Sequence, residues 1–200
     1  MSAKRWTAGE LTFQDRMPPL EPEAMNDLQR KAEEELIAGP RKGVKGPFVP
    51  LIRSPELMDR LQKVGEYLRF NSVLEAHISE FVMLVVSRHW TQQFEWAIHH
   101  PLALKAGISP AVLQALAEGR RPNGMPEDVE IAYDLCEELF RTRGVSDATY
   151  QRALGKFGEQ GLIDILGVAG YFTALSMVMN VAHSPRPANA SALALAPFPM

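Results

Sequence analysis

Residues 90–100 read Trp90-Thr91-Gln92-Gln93-Phe94-Glu95-Trp96-Ala97-Ile98-His99-His100, and this stretch decides how the whole chain is interpreted. On a helix that turns about 100° per residue, Gln92, Glu95 and His99 fall within about 60° of one another. The other side of the helix is predicted to hold the residues Phe94, Ala97, Ile98 and Pro101. The stretch therefore predicts an amphipathic helix from about Trp90 to Ala106, with one polar face.

The chain on both sides of this stretch also has the pattern of helices. Ser54-Pro55-Glu56 is a typical helix start, with a serine cap and a proline in the first turn. Apolar residues recur at helical spacing, and no pair of strands is predicted. Further helices are expected at about 21–38, 54–68, 73–87, 110–119, 126–142, 146–157 and 161–183. The sequence therefore predicts an all-α, compact multi-helix protein.

Three segments are predicted from the distribution of proline and of helical patterns. Residues 1–20 form an N-terminal arm, residues 21–183 form the helical domain, and residues 184–200 form a tail rich in proline and alanine. Within the domain, the glycine- and proline-rich stretch 39–53 is expected to be an irregular and functional loop. The tail is expected either to be disordered or to lie on a neighbouring subunit. The last helix, 161–183, is apolar almost all round, which predicts a central position or a subunit interface.

Composition limits the classes of function. The 200 residues carry a net charge of −3, so the chain has no basic surface typical of nucleic-acid binding. No run reaches the roughly 18 consecutive apolar residues that a membrane span needs, and residues 1–10 do not resemble a signal peptide. Cys136 is the single cysteine, so no internal disulfide can form, and it is expected to be buried. These features predict a cytoplasmic protein.

Glu95 and His99 are the first candidates for chemistry. They are four residues apart, so their side chains can interact along a helix. A carboxylate beside a histidine raises the pKa of the ring and suits proton transfer. Glu80 adds a second carboxylate at the start of the apolar run in the preceding helix. The alternative interpretation is a solvated helix face with no function.

A metal site is the second interpretation of the same region. His89, Glu95, His99 and His100 are close in sequence. However, His99 and His100 point about 100° apart on a helix, and no HExxH arrangement is present. We therefore predict no metal.

The spacing of Glu80, Gln92, Glu95 and His99 resembles the carboxymuconolactone decarboxylase family within the alkyl hydroperoxidase D-like superfamily. Other matching stretches, across about residues 15–183, are Gly39-Pro40-Arg41, Gly46-Pro47-Phe48, Ser54-Pro55-Glu56-Leu57, Arg88-His89-Trp90, Ser146-Asp147-Ala148-Thr149-Tyr150 and Gly170-Tyr171-Phe172. In the peroxidase branch of that superfamily, two cysteines stand where this chain has Gln92 and Glu95. The resemblance therefore implies the branch without disulfide-dependent peroxide reduction.

The resemblance implies an all-helical fold whose subunits assemble through helices into trimers or hexamers. It also implies decarboxylation of a small carboxylated lactone or keto acid without a cofactor. In that reaction His99 would be the proton donor, Glu95 its orienting partner and Glu80 a second acid–base group. Arg41 or Arg53 would bind the substrate carboxylate. Further residues expected to bind substrate are Gln92, His89, Trp90 and Tyr171.

Two other classes of function use the same residues. One is a different cofactor-free proton-transfer enzyme, such as an isomerase, a dehydratase or a lactone hydrolase. The other is a non-catalytic oligomeric binding protein that keeps the fold. A thiol peroxidase that relies on Cys136 alone is disfavoured because that cysteine lies in a separate predicted helix.

Overall fold

The computed structural model describes residues 14–196, and these residues contain helices and no strand. The all-α prediction is therefore confirmed for this part of the chain. The α-helices are α1 (Asp27–Ala38), α2 (Phe48–Leu51), α3 (Pro55–Glu66), α4 (Ala76–His89), α5 (Gln93–Lys105), α6 (Pro110–Ala117), α7 (Glu127–Thr142) and α8 (Asp147–Ala182). A short 3-10 helix, Pro22–Ala24, precedes α1, and a π-helical turn, Tyr67–Asn71, follows α3.

Helix starts follow the capping signals in the sequence. The Asn26 side chain accepts a hydrogen bond from the Gln29 amide, and the Gln29 side chain accepts one from the Asn26 amide, which closes a capping box. Ser146 caps α8 by accepting from the Thr149 amide at 3.3 Å. Ser54 precedes α3 as predicted, but its side chain makes no capping hydrogen bond.

Helix α5 begins three residues later than the expected Trp90. The Gln92 side chain accepts hydrogen bonds from the amides of Phe94 at 2.5 Å and Glu95 at 3.3 Å. Just before it, Thr91 has a φ of 47°, which a helix interior does not allow. Gln92 is thus the cap of the helix and not a member of its polar face, and this corrects the helical-wheel assignment.

The stretch 39–53 is more ordered than an irregular loop. It contains α2, in which Phe48 is 4% exposed and Leu51 is 4% exposed. Gly46 has a φ of 57°, and a Cβ there would lie 2.4 Å from the Phe94 ring. Only glycine fits so close to the ring, so Gly46 allows the stretch 39–53 to pack against Phe94 of α5.

Helices α4 and α8 form the centre of the structure. Ten of the residues of α4 between Ile78 and Arg88 are buried, and α4 packs against α5, α7 and α8. Helix α8 is interrupted at Gly158, where φ is 68° and ψ is 177°, so the two predicted helices, 146–157 and 161–183, follow each other across a kink. By length and composition α8 could cross a membrane, but its buried residues pack in the core, so this is weak evidence for a span.

Both ends of the described chain pack on the domain. Arg53 donates hydrogen bonds to the carbonyls of Met17 at 3.5 Å and Pro18 at 2.8 Å. The Gln93 side chain donates to the Leu195 carbonyl at 2.7 Å and accepts from its amide at 2.9 Å. Residues 184–196 of the tail therefore pack on the helical domain of the same chain. Neither expectation for the tail, disorder or contact with a neighbouring subunit, included this arrangement. The rest of the predicted arm and tail, 1–13 and 197–200, lies outside the described residues.

Candidate active site

His99 is held between two glutamates that come from two helices. Its Nδ1 lies 2.7 Å from Glu80 Oε2 on α4, and its Nε2 lies 3.2 Å from Glu95 Oε2 on α5. The His99 side chain is 2% exposed and that of Glu95 is 4% exposed, whereas that of Glu80 is 15% exposed. The structure therefore brings together the three residues predicted to be catalytic, as one chain of contacts from near the surface to the interior.

The two carboxylates control the charge of His99. Burial alone lowers the pKa of a histidine, but the hydrogen bonds to Glu80 and Glu95 outweigh it, so the pKa of His99 is raised. The ring of Phe172 lies 5.1 Å from the His99 ring at 84°, an edge-to-face contact that fixes the imidazole plane. Both ring nitrogens of His99 are thus engaged, and neither is free to reach a ligand directly.

A cavity of about 340 Å³ lies beside this triad. Glu95 and His99 line it, and Glu80 does not. The rest of the wall is mostly aromatic and apolar, with three cationic side chains among its residues. The other lining residues are Pro40, Arg41, Gly43, Lys45, Pro47, Phe48, Arg69, Phe70, Phe94, Ile98, Tyr171, Phe172 and Leu175.

Arg41 and Tyr171 bring unpaired polar atoms to the cavity. Nε and Nη2 of Arg41 and Oη of Tyr171 are buried and have no hydrogen bond of good geometry within residues 14–196. The guanidinium lies 4.7 Å over the Phe48 ring. Burial lowers the pKa of Arg41 and raises the pKa of Tyr171 to about 12. At neutral pH both groups therefore stay protonated and act as hydrogen-bond donors.

The other predicted binding residues lie elsewhere. Gln92 and Trp90 line a second cavity of about 470 Å³, where the Gln92 amide donates to Asn180 Oδ1 at 2.9 Å. His89 stacks on Phe140 at 4.5 Å between ring centroids and does not line the first cavity. Arg53 holds the N-terminal segment instead of facing the cavity. Of the two candidate arginines, the structure brings only Arg41 to Glu95 and His99.

Some lining residues were missed by the sequence interpretation. Phe94 and Ile98 were predicted on the side away from the polar residues, but they line the cavity with Glu95 and His99. Arg69 comes from the π-helical turn, which has no distinct sequence signal.

The described residues hold neither a cluster of metal ligands nor an exposed thiol. Within residues 14–196, no group of three histidine, cysteine, aspartate or glutamate side chains is arranged to hold a metal ion. Cys136 is buried as predicted, and burial raises its pKa to about 12. A thiol in that environment is a poor nucleophile because the thiolate is the reactive form.

The comparisons with known proteins support the fold. No family model matches the chain, and no curated protein does. Among solved structures, one match is the alkylhydroperoxidase AhpD core, an uncharacterized peroxidase-related protein, from Ralstonia eutropha JMP134. It is 16% identical with a TM-score of 0.65 and covers 83% of this chain and 88% of its own.

A second match is an uncharacterized peroxidase-related protein from Silicibacter sp. TM1040. It is 16% identical, with a TM-score of 0.68 over 90% of this chain and 94% of its own. At this identity the two matches speak for the fold and not for the reaction. The chain shares its all-helical fold with these two structures.

Proposed function

We propose that this protein is a cofactor-free, decarboxylase-like enzyme that acts on a small carboxylated lactone or keto acid. One observation carries the proposal: Glu80, His99 and Glu95 form a chain of contacts that ends at a cavity, and Arg41 brings buried, unpaired donors to the same cavity. The cation favours an anionic ligand, and the chain of acid–base groups favours proton transfer to that ligand. The small, aromatic cavity suits a planar, unsaturated molecule.

The geometry supports a different division of roles from the one expected from sequence. Because both nitrogens of His99 contact carboxylates, the group that faces the ligand is Glu95. His99 is then a relay between Glu95 and Glu80. Glu80 is the most exposed of the three and lies outside the cavity, so it is the point of proton exchange with solvent.

The reaction proceeds in two steps in this proposal. The carboxylate of the substrate leaves as carbon dioxide, and the electron pair of the broken bond moves into a conjugated carbonyl. A proton held on His99 then passes through the Glu95 carboxylate to the carbon, and Glu80 returns a proton from solvent to His99. These steps require neither a metal ion nor an organic cofactor.

Other proton-transfer reactions on a small carbonyl acid remain the main alternative, since isomerisation, dehydration and lactone hydrolysis would use the same groups. A non-catalytic binding protein is the alternative of another class, because Arg41 would hold an anion without any turnover. Peroxide reduction through a CxxC is incompatible with a sequence that contains one cysteine. The buried state of that cysteine also disfavours a single-thiol peroxidase.

Assembly and location complete the proposal. Apolar side chains are exposed on several helices, including Leu57 at 48% and Val64 at 48% on α3 and Ile163 at 62% on α8. Exposed apolar residues on helices are consistent with a homo-oligomer, which we expect to be a trimer or a hexamer, in the cytoplasm. Neither nucleic acid nor membrane is proposed as a partner. Light scattering after size-exclusion chromatography measures the assembly directly.

The experiment is a turnover screen that follows carbon dioxide release from unsaturated lactone acids and β-keto acids. We expect turnover with the wild type and a loss of about 10²-fold or more with His99→Gln. His77→Gln is the matched control, because His77 also pairs with a carboxylate, at 3.0 Å from Asp128, but outside the cavity. Equal turnover of wild type and folded His99→Gln would contradict the proposal.

A further inference from the structure

Arg41 and Tyr171 converge on one point above the backbone of Gly65. A Cβ on Gly65 would lie 2.2 Å from Tyr171 Oη and 2.5 Å from Arg41 Nη2. The missing side chain of the glycine is therefore what allows the two polar atoms to approach each other at the wall of the cavity. The arrangement comes from three separate parts of the chain, α3, α8 and the segment before α2.

Arg41 Nη2 and Tyr171 Oη attract each other at close range, but they do not form a hydrogen bond of good geometry, and each can still donate to a ligand. Tyr171 is 5% exposed and Arg41 Nη2 is buried, and neither has a hydrogen bond of good geometry within the described residues. A buried donor left unpaired is destabilising, so natural proteins rarely keep two of them at one point. A ligand oxygen that accepts from both would remove that cost. The donors therefore indicate a bound oxygen that carries negative charge.

We propose that Arg41 and Tyr171 form an oxyanion site for the carbonyl oxygen of the substrate, the oxygen on which negative charge develops as carbon dioxide leaves. This inference rests on the proposed function and makes Tyr171 a catalytic residue, where the sequence indicated only a binding residue. It also reassigns Arg41 from the substrate carboxylate to the carbonyl. The substrate class is thereby narrowed to acids whose carboxylate is conjugated with, or β to, a carbonyl group.

The chemistry favours the carbonyl over the leaving carboxylate. A guanidinium on the leaving carboxylate stabilises the charge that has to depart, and so it raises the barrier. On the carbonyl oxygen, the same cation stabilises the charge that forms. The bond between the carboxyl carbon and its neighbour breaks, its electron pair makes the enolate, and Glu95 supplies the proton when the carbonyl re-forms.

The test uses 4-nitrophenol, whose ionised oxygen on a planar ring imitates an enolate and whose ionisation is visible by absorbance. We expect the wild type to lower the pKa of the bound probe and to bind the phenolate. Tyr171→Phe and Arg41→Met should each weaken phenolate binding by about tenfold or more. Tyr67→Phe is the matched control, because the Tyr67 hydroxyl already hydrogen-bonds Asp164 at 3.1 Å and lies outside the cavity.

Stability gives a second, independent measurement. Because the Tyr171 hydroxyl makes no hydrogen bond of good geometry in the described residues, Tyr171→Phe should keep or raise the melting temperature of the ligand-free protein, whereas Tyr67→Phe should lower it. The inference is overturned if the wild type does not shift the ionisation of the probe. It is also overturned if Tyr171→Phe binds the phenolate as the wild type does, or if the two tyrosine variants behave alike.

The two proposals fail in different ways. Loss of carbon dioxide release in Glu95→Gln, together with unchanged phenolate binding in Tyr171→Phe, would remove the oxyanion site and keep the proposed function. Weakened phenolate binding in Tyr171→Phe, together with no turnover of any acid in the screen, would keep the anion site and remove the decarboxylation.

Discussion

Glu80 Oε2 lies 2.7 Å from His99 Nδ1, although the two residues belong to different helices and are separated by nineteen positions in sequence. The contact joins α4, which carries Glu80, to α5, which carries His99. It turns a local pair, Glu95 and His99, into a chain of three groups. The position of a proton in that chain is therefore set by tertiary packing.

The first prediction concerns stability and pH. Burial lowers the pKa of His99, but hydrogen bonds from its ring to Glu80 and Glu95 outweigh burial, so the pKa is raised in the folded protein. With a raised pKa in the folded state, protonation of His99 stabilises the fold. This stabilisation is complete below a pH of about 6.5, the pKa of histidine in the unfolded chain. It is lost as the pH rises through the higher pKa of the folded protein. Urea unfolding at a series of pH values should show this decline in the wild type and not in His99→Gln. Parallel curves for the two proteins would contradict the assignment.

The second prediction uses the close approach at Gly65. Alanine normally favours a helix over glycine by about 1 kcal/mol. At Gly65 the new Cβ would lie 2.2 Å from Tyr171 Oη, so we expect Gly65→Ala to destabilise the fold by about 1–3 kcal/mol. Gly155→Ala in α8 is the control, because nothing lies within 4 Å of its Cβ, and it should be neutral or stabilising.

A double-variant cycle separates the clash from a general effect. Tyr171→Phe removes the atom nearest to the new Cβ, so it should recover part of the loss in Gly65→Ala. The free energy of unfolding of the four proteins measures the coupling. Additive losses in the double variant would show that Gly65 and Tyr171 do not interact.

The third prediction concerns a buried carboxylate outside the site. Asp164 is 5% exposed and accepts hydrogen bonds from Tyr67 Oη at 3.1 Å and from the Val73 amide at 3.1 Å. It therefore ties the π-helical turn after α3 to α8. Asp164→Ala leaves both donors without an acceptor, and we expect a loss of about 1–3 kcal/mol in the free energy of unfolding. An unchanged unfolding midpoint would argue against this role.

The fourth prediction concerns the cap of α5. Gln92 satisfies the amides of Phe94 and Glu95 and also donates to Asn180 Oδ1 at 2.9 Å. Gln92→Ala removes these hydrogen bonds, and it should cost about 1 kcal/mol while leaving ligand binding in the first cavity unchanged. Thermal unfolding and phenolate binding together check both parts. Strong loss of binding would indicate that Gln92 belongs to the ligand site after all.

The sequence was sufficient to predict features that depend on residues close together in the chain. The spacing of Glu95 and His99 predicted their contact, and helix starts such as Ser146 followed from capping preferences. The helical-wheel prediction was wrong at the start of α5. Gln92 precedes the helix and its side chain caps the first turn, so Gln92 does not belong to the polar face. Side-chain capping of this kind depends on backbone angles that periodicity does not contain.

The remaining parts of the site required tertiary structure. The sequence offers no reason to prefer Arg41 over Arg53 as a binding residue. In the structure, Arg41 lines the cavity and Arg53 hydrogen-bonds the N-terminal segment. Tyr171 reaches Arg41 only because Gly65, on another helix, leaves room for both side chains. Such convergence comes from packing between helices that are distant in sequence, so no pattern along one helix could predict it.

The most direct test of the central claim is the rate of carbon dioxide release by Glu95→Gln, measured on the best substrate of the screen. The substitution keeps the shape of a side chain that lines the cavity and removes its acid–base function. The account predicts a fall in kcat of about 10²-fold or more while His77→Gln keeps the wild-type rate. A folded Glu95→Gln protein that turns over at the wild-type rate would contradict it.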